Sequence, residues 1–420
     1  LLLKLGASVT FLRFTTELLP SVGTILLMYL VGKEMYNKKI GIIAATMLSV
    51  FWLHLFFTAR LLMDLPGLFF SLLTIYFFWK GHIKEQGKWY RYLTPVFFLL
   101  TALTKYNDGV ILLAFAACLL VKERFSLFKQ KKLWYALGIS ILIIFVPYLL
   151  FNYLSFGDPL PALTTYIFTA KTSAIHQFAA EPPAWYILNY FYEYLFTFWL
   201  IIFFVGVACL WKFFLSLDLL IKRKDLSTLN DLFCILLIIL PLLFFVFLYK
   251  FAVHQYLFLI TPALFLIMAK GTLQIHDFLA RYNKYIGVGA VVAILAVGGY
   301  AQLTHGIGML EVKKTTYSEL REAGLWIKEH ISPDEPVMLT SNQMEFGVFA
   351  ERRIVNEGKN LSEFEERLLQ EKPRYLVLSL LSDNPNYPWI LPLLQNNRER
   401  FVPVQAWFAD KERKSIISAN

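Results

Sequence analysis

Between Phe14 and Leu303 the chain alternates apolar runs with short polar breaks. Ten runs stand out: 14–32, 40–58, 65–80, 91–104, 109–121, 133–152, 194–211, 231–249, 253–269 and 285–303. A helix of about 20 apolar residues crosses about 30 Å of hydrocarbon. Backbone polar groups left unpaired in lipid would exclude an isolated strand. Each run therefore predicts a membrane helix. After His305 the pattern becomes that of a water-soluble domain. Residues 317–330 predict an amphipathic helix, and Ser332-Pro-Asp-Glu-Pro336 a turn. Val337–Thr340, Tyr375–Leu380 and Val402–Phe408 predict strands. Ser362 and Glu365 have the spacing of a capping box for a helix reaching Gln370, and Trp389–Asn397 predicts another helix. The expected fold is an all-α, multi-pass transmembrane domain over residues 1–304, then a small α/β domain over 305–420.

Composition agrees with this division. Of 420 residues, 57% are hydrophobic and 17% charged, against about 25% charged in a typical soluble domain. The formal charge of +10 does not point to a nucleic-acid partner, because outside the tail the basic residues sit in short loops between apolar runs. Alternate loops hold 19 and 4 lysines and arginines. The rich set, from Lys33, Lys38 and Lys39 through Lys270, Arg281 and Lys284, is cytoplasmic by the positive-inside rule. The tail then follows an outward-going span. That makes the expected location the plasma membrane, with an extracytoplasmic C-terminal domain. Cys118, Cys209 and Cys234 lie inside apolar runs and read as buried small hydrophobes.

The scarce polar groups on the outward side are the candidate chemistry. Arg60 and Asp64 are four residues apart and would share a helix face, although Asp64 also suits a helix N-cap. The Thr104–Asp108 turn joins two short arms of 13–14 residues, about 20 Å each, so Lys105 and Asp108 would sit below the outer surface. Charges at such depth are costly and mark function more often than not. A plain helix–helix turn with Lys105 paired to Asp108 is the simpler account. The loop 153–193 carries Lys171 and His176, with Trp185, Tyr186, Tyr190, Tyr192 and Tyr194 as an interfacial belt. Lys250 and His254 are again four apart, beside Tyr256. The tail shows no phosphate loop, nucleophile elbow or metal-ligand spacing.

Several segments together resemble the polyprenyl-phosphate-sugar-dependent glycosyltransferases of the GT-C fold, in the branch of lipid-A sugar transferases and protein O-mannosyltransferases. They are Arg13 with Leu18-Leu-Pro-Ser21 and Tyr29-Leu-Val-Gly32; Ala59-Arg60 and Asp64; Leu103-Thr-Lys105; and Gln255-Tyr256 with Thr261-Pro262-Ala263 before Lys270-Gly271. The tail stretch from Ala323 to Leu378 is similar to tails of this group. The resemblance implies a hexosyl- or pentosyltransferase that moves a sugar from a lipid phosphate to an acceptor hydroxyl of a lipid, protein or glycan. It implies a catalytic role for Asp64, either as the base or, where an acidic loop after a preceding span supplies the base, in positioning the substrate, with Arg60, Lys105, Lys250 and His254 on the donor phosphate. Asp108, Lys171 and Tyr256 are further candidates. Arg13 and the span it opens match the second span of the family. A first span and its acidic external loop are therefore expected to precede Leu1, and the chain without them is expected to be impaired.

A monophosphate leaving group with protein cations beside it does not demand a divalent metal, and none is assigned. Two other classes fit a polytopic chain. A transporter or flippase would show inverted repeats or symmetrically broken spans, and none is evident. A non-catalytic scaffold would not depend on Asp64 or Lys105.

Overall fold

The computed structural model describes residues 8–60, 62–123, 131–161, 164, 183–210, 226–248, 254–314, 318–340, 343–358, 360–378, 387–409 and 416–419. Contacts divide the chain into two compact units, Leu1–Ile307 and Gly308–Asn420.

The described part of the first unit is built of helices. After a short helix, Val9–Arg13, and a π-turn, Phe14–Leu18, come α1 (Leu19–Met35), α2 (Lys38–Val50) and α3 (Trp52–Thr58). They are followed by α4 (Asp64–Phe78), α5 (Lys88–Thr104), α6 (Ile111–Glu123), α7 (Lys131–Ser140) and α8 (Val146–Phe156). The unit is completed by α9 (Pro183–Ala208), α10 (Leu226–Leu243), α11 (His254–Leu257), α12 (Thr261–Ala280) and most of α13 (Lys284–Lys314), whose last residues belong to the second unit. All ten apolar runs are helical over most of their described residues, with a break at Phe51 in the second. Among the described residues, five helical stretches are long and apolar enough to cross a membrane, or six if the pair α2 and α3, bent by 58°, counts as one. Others of the ten runs, such as α5 and α6, form shorter helices of 17 and 13 residues. The protein is a multi-pass membrane protein.

Close helix approach in lipid depends on small residues. A Cβ on Gly32 of α1 would stand 2.7 Å from the Cα of Gly41 of α2, so only glycine fits there. Polar ties join helices at one end of the unit. Lys270 of α12 lies 2.6 Å from Asp231 of α10, whose other oxygen accepts from the Tyr36 hydroxyl at 2.8 Å. Lys122 donates to the carbonyls of His82 and Ile83 and to Glu85, while Lys84 lies 3.0 Å from Glu34. All these groups belong to the lysine-rich loops or their flanks. Asp64 and Ile83 terminate one helical segment made of α4 and the π-turn Trp79–Ile83. Twenty residues at 1.5 Å each place Asp64 about 30 Å from that end.

The second unit begins with α14 (Ser318–His330) and β1 (Val337–Thr340), then α15 (Gln343–Ala350), β2 (Ile354–Asn356), α16 (Leu361–Glu371) and β3 (Tyr375–Leu378). It ends with α17 (Tyr387–Asn396), β4 (Ala406–Ala409) and β5 (Ile416–Ala419). Strands β2, β1 and β3 form a parallel sheet in that order, and β4 pairs antiparallel with β5. The central strand is buried on both faces, as parallel sheets are. Val337 and Leu339 pack with Leu320, Ile327 and Phe346, and Met338 packs with Val355 and Phe364 on the other side. Two expectations need correction. Asn360, not Ser362, caps α16, its side chain accepting from the Glu363 amide at 3.0 Å. The last expected strand, Val402–Phe408, begins only at Ala406.

Candidate functional site

Asp64 is the first residue of α4 and not its cap; that position falls to Met63. Lys105 ends α5 in an extended conformation, and the 3-10 turn Tyr106–Val110 leads into α6. Lys105 Nζ donates to Asp64 Oδ1 at 2.6 Å and to the Gln255 carbonyl oxygen at 2.6 Å. It stands 4.0 Å from Asp108 Oδ1 and 5.4 Å from the centre of the Tyr256 ring. Three separate stretches of sequence, around positions 64, 105–108 and 255–256, therefore meet at one ammonium group. The side chains of Lys105 and Asp64 are only 13% and 7% exposed.

Asp108 is buried behind the pair. Its carboxylate lies against Gly67, where a Cβ would come within 2.6 Å of Oδ2. The turn that carries Asp108 lies between two helices, and burial there raises its carboxyl to about 7. The Lys105 charge opposes that rise and the Asp64 carboxylate adds to it. The cluster thus carries little net charge when Asp108 is protonated and turns negative when it is not. Lysine has three N–H donors, and the two named bonds use two of them.

Asp64, Lys105 and Tyr256 open on a cavity of about 680 Å³. Asn107, Gln255 and the hydroxyl pair of Tyr106 and Tyr148, which hydrogen-bond one another, add polar lining. Leu103, Val110, Leu113 and Phe244 make the remainder apolar.

Other candidates fall elsewhere. Arg60 does not share a helix face with Asp64, because the chain is non-helical between α3 and α4. Its guanidinium lies over the Phe56 ring, 4.2 Å from the centre, and it does not line the cavity. His254 opens α11 next to Gln255, but its side chain lies outside the described residues, as do Lys250, Lys171 and His176. Tyr190 and Tyr194 are buried and only Tyr192 is exposed, so these three do not form the interfacial belt expected of them. The groups missed from sequence were the Gln255 carbonyl, Tyr106, Tyr148 and Glu17. A backbone carbonyl gives no sequence signal, and tyrosines are common in such runs. Glu17, an acid inside the first apolar run, did give one. Among the described residues no group of three or more His, Cys, Asp or Glu could hold a metal ion.

Solved structures decide the architecture. The chain superposes on the oligosaccharyltransferase of Archaeoglobus fulgidus, solved with a tethered acceptor peptide containing the NVT sequon. The TM-score is 0.52 and the identity 15%, over 97% of this chain and 63% of that one. It also superposes on ArnT from Cupriavidus metallidurans bound to undecaprenyl phosphate, with a TM-score of 0.58 and 12% identity, over 97% of this chain and 84% of that one. The chain has the GT-C fold. A further match within the GT-C group is the Archaeoglobus enzyme, AglB, in complex with an inhibitory peptide and a dolichol-phosphate, with a TM-score of 0.52 and 14% identity, over 97% and 63% of the two chains. The chain thus spans less than two thirds of the oligosaccharyltransferase's length. The family described as dolichyl-phosphate-mannose-protein mannosyltransferase matches residues 1–151, which include Asp64 and Lys105. No curated protein matches the chain by sequence.

Proposed function

We propose that this chain is a membrane glycosyltransferase that moves a sugar from a polyprenyl phosphate to an acceptor hydroxyl at the outer face of the plasma membrane. One observation carries the reading: Asp64 and Lys105, from separate helices, are paired at 2.6 Å on the wall of a half-apolar cavity. The match of residues 1–151 to a mannosyltransferase family, and the polyprenyl phosphates bound by the two GT-C relatives, support the choice of donor. The 19-to-4 bias of basic residues supports the side, since Asp64 and Lys105 lie at the lysine-poor end. The extracytoplasmic position of the tail rests on the same bias.

In this scheme the acceptor oxygen forms a bond to the anomeric carbon as the bond from that carbon to the phosphate oxygen breaks. The bonding pair leaves with the lipid phosphate. Asp64 takes the hydroxyl proton, as a carboxylate held within hydrogen-bonding reach can. Charge grows on the phosphate in the transition state, so a fixed cation there stabilises that state more than the ground state. Lys105 offers its third N–H to a phosphate oxygen while its other two keep the ammonium aimed. Arg60, Lys250 and His254 are proposed as further phosphate ligands, and Tyr256 as part of the wall. Asp108 is proposed to hold the Lys105 turn, and Lys171 to meet the donor or acceptor. The apolar lining suits the first isoprene units. The acceptor is the hydroxyl of a lipid, a protein or a glycan.

The test uses the full-length protein in cell membranes with polyprenyl-phosphate [14C]mannose as probe. Label should leave the lipid and enter an acceptor. Asp64→Asn should slow this at least about 100-fold, the scale of a lost general base. Turnover by Asp64→Asn at the wild-type rate would remove Asp64 from the chemistry.

A further inference from the structure

Glu17 is an acid in a membrane helix, and it is buried, with 3% of its surface exposed. It occupies the π-turn before α1, inside the apolar stretch Thr10–Met35. Ionisable residues within spans are costly and face the protein interior, where they mark function. Glu17 Oε1 accepts from the Leu62 backbone amide at 3.1 Å, and Oε2 is buried without a hydrogen-bond partner among the described residues. Leu62 lies in the short link between α3 and α4, two residues before Asp64.

The contact does not stand alone. Ser21 Oγ lies 2.9 Å from Thr58 Oγ1, and Thr24 Oγ1 lies 2.9 Å from His54 Nε2. Glu17, Ser21 and Thr24 follow one face of the first span at helical spacing. Their partners run the other way, at positions 62, 58 and 54. The three rungs form an antiparallel polar ladder between the first span and the segment that leads to Asp64. Apolar packing in lipid tolerates sliding, since any hydrocarbon surface can replace another. A ladder of polar pairs permits one register, as a lone buried asparagine does in a coiled coil. The ladder therefore sets the height of α3, and its last rung fixes the link just before the carboxylate.

We infer that Glu17 is a positioning residue for Asp64. It acts through the Leu62 amide and does not line the cavity. The inference rests on the proposed role of Asp64 and adds to it a residue that touches no substrate. A misplacement near 1 Å at a reacting group costs on the order of 100-fold in rate. Loss of the rung should thus appear in turnover and not in donor affinity.

The experiment compares Glu17→Ala, Glu17→Gln, Glu17→Asp and Asp64→Asn in the full-length protein, with polyprenyl-phosphate [14C]mannose as probe. Glu17→Ala should lower maximal turnover about 10- to 100-fold, with the half-saturating donor concentration changed less than about threefold. Glu17→Gln keeps an acceptor oxygen at the same reach and should restore turnover to within about threefold. Glu17→Asp keeps the carboxyl group but shortens the reach, and should resemble Glu17→Ala. It also serves if the alanine variant does not fold, and thermal unfolding of each variant reports that. A merely structural role would lower stability and leave the split between turnover and affinity unmoved. Wild-type turnover in folded Glu17→Ala or Glu17→Asp would overturn the inference, and so would Glu17→Gln as slow as Glu17→Ala. Wild-type turnover by Asp64→Asn would instead overturn the reading of the site, and Glu17 with it.

Discussion

Lys105 and Asp64 form an ion pair of 2.6 Å whose members come from the end of one helix and the start of another, 41 residues apart in sequence. Asp108 stands 4.0 Å from the same ammonium group. One cation therefore serves two buried carboxylates. The arrangement holds the pair in place for a substrate and also makes it a weak point in the fold.

Lys105→Met should destabilise the protein by about 3 kcal/mol, because removing one member of a buried pair leaves uncompensated charge. Thermal unfolding in detergent measures the loss. Adding Asp64→Asn to the Lys105→Met protein should recover a good part of it, since the second change removes the stranded charge. A loss in the double variant equal to the sum of the two single losses would show that the two residues do not couple.

Gly67→Ala places a methyl group within 2.6 Å of Asp108 Oδ2. The carboxylate and its turn must shift, at a cost of about 1–3 kcal/mol. Lys105 moves with that turn, so turnover should fall together with stability. Restoring space through Gly67→Ala with Asp108→Ala should recover stability and not turnover. The paired measurement of unfolding and label transfer checks both halves.

Sidedness can be read without any substrate. Met63 beside Asp64 is 60% exposed, and Gln86 near Glu85 is exposed at the other end of the same helical segment. In a background with Cys118, Cys209 and Cys234 replaced, Met63→Cys should react with an impermeant maleimide on intact cells. Gln86→Cys should react only after permeabilisation. The reverse pattern would turn the cavity toward the cytoplasm and end the proposed donor chemistry.

The C-terminal unit has its own core and should fail on its own. Phe346 is fully buried among Leu320, Ile327 and Val337. Phe346→Ala should cost about 3–5 kcal/mol in that unit. Faster tryptic cleavage at Lys and Arg sites within Gly308–Asn420, with the span region intact on a gel, is the expected result.

The spans, the α/β character of the tail, and the suspicion that falls on Asp64, Lys105, Asp108 and Tyr256 were legible in the residues themselves. Hydropathy dictates burial in lipid, and strand and helix periods differ, so both signals are local. Charges inside apolar runs are rare enough to name candidates one at a time. Which candidates meet is a different question. Lys105 pairs mainly with Asp64 and only loosely with Asp108, its neighbour in sequence, because the end of α5 and the start of α4 are brought together by packing and not by chain proximity. Arg60 shares a sequence motif with Asp64 yet lies over Phe56, because the chain leaves the helix between them. The Gln255 carbonyl, the Tyr106–Tyr148 pair and the ladder from Glu17 exist only once distant helices are packed. Sequence alone determined the membrane setting and a short roll of costly polar groups. The tertiary structure decided their partners, since hydrogen bonds and ion pairs act over about 3 Å, a distance that no spacing along the chain specifies.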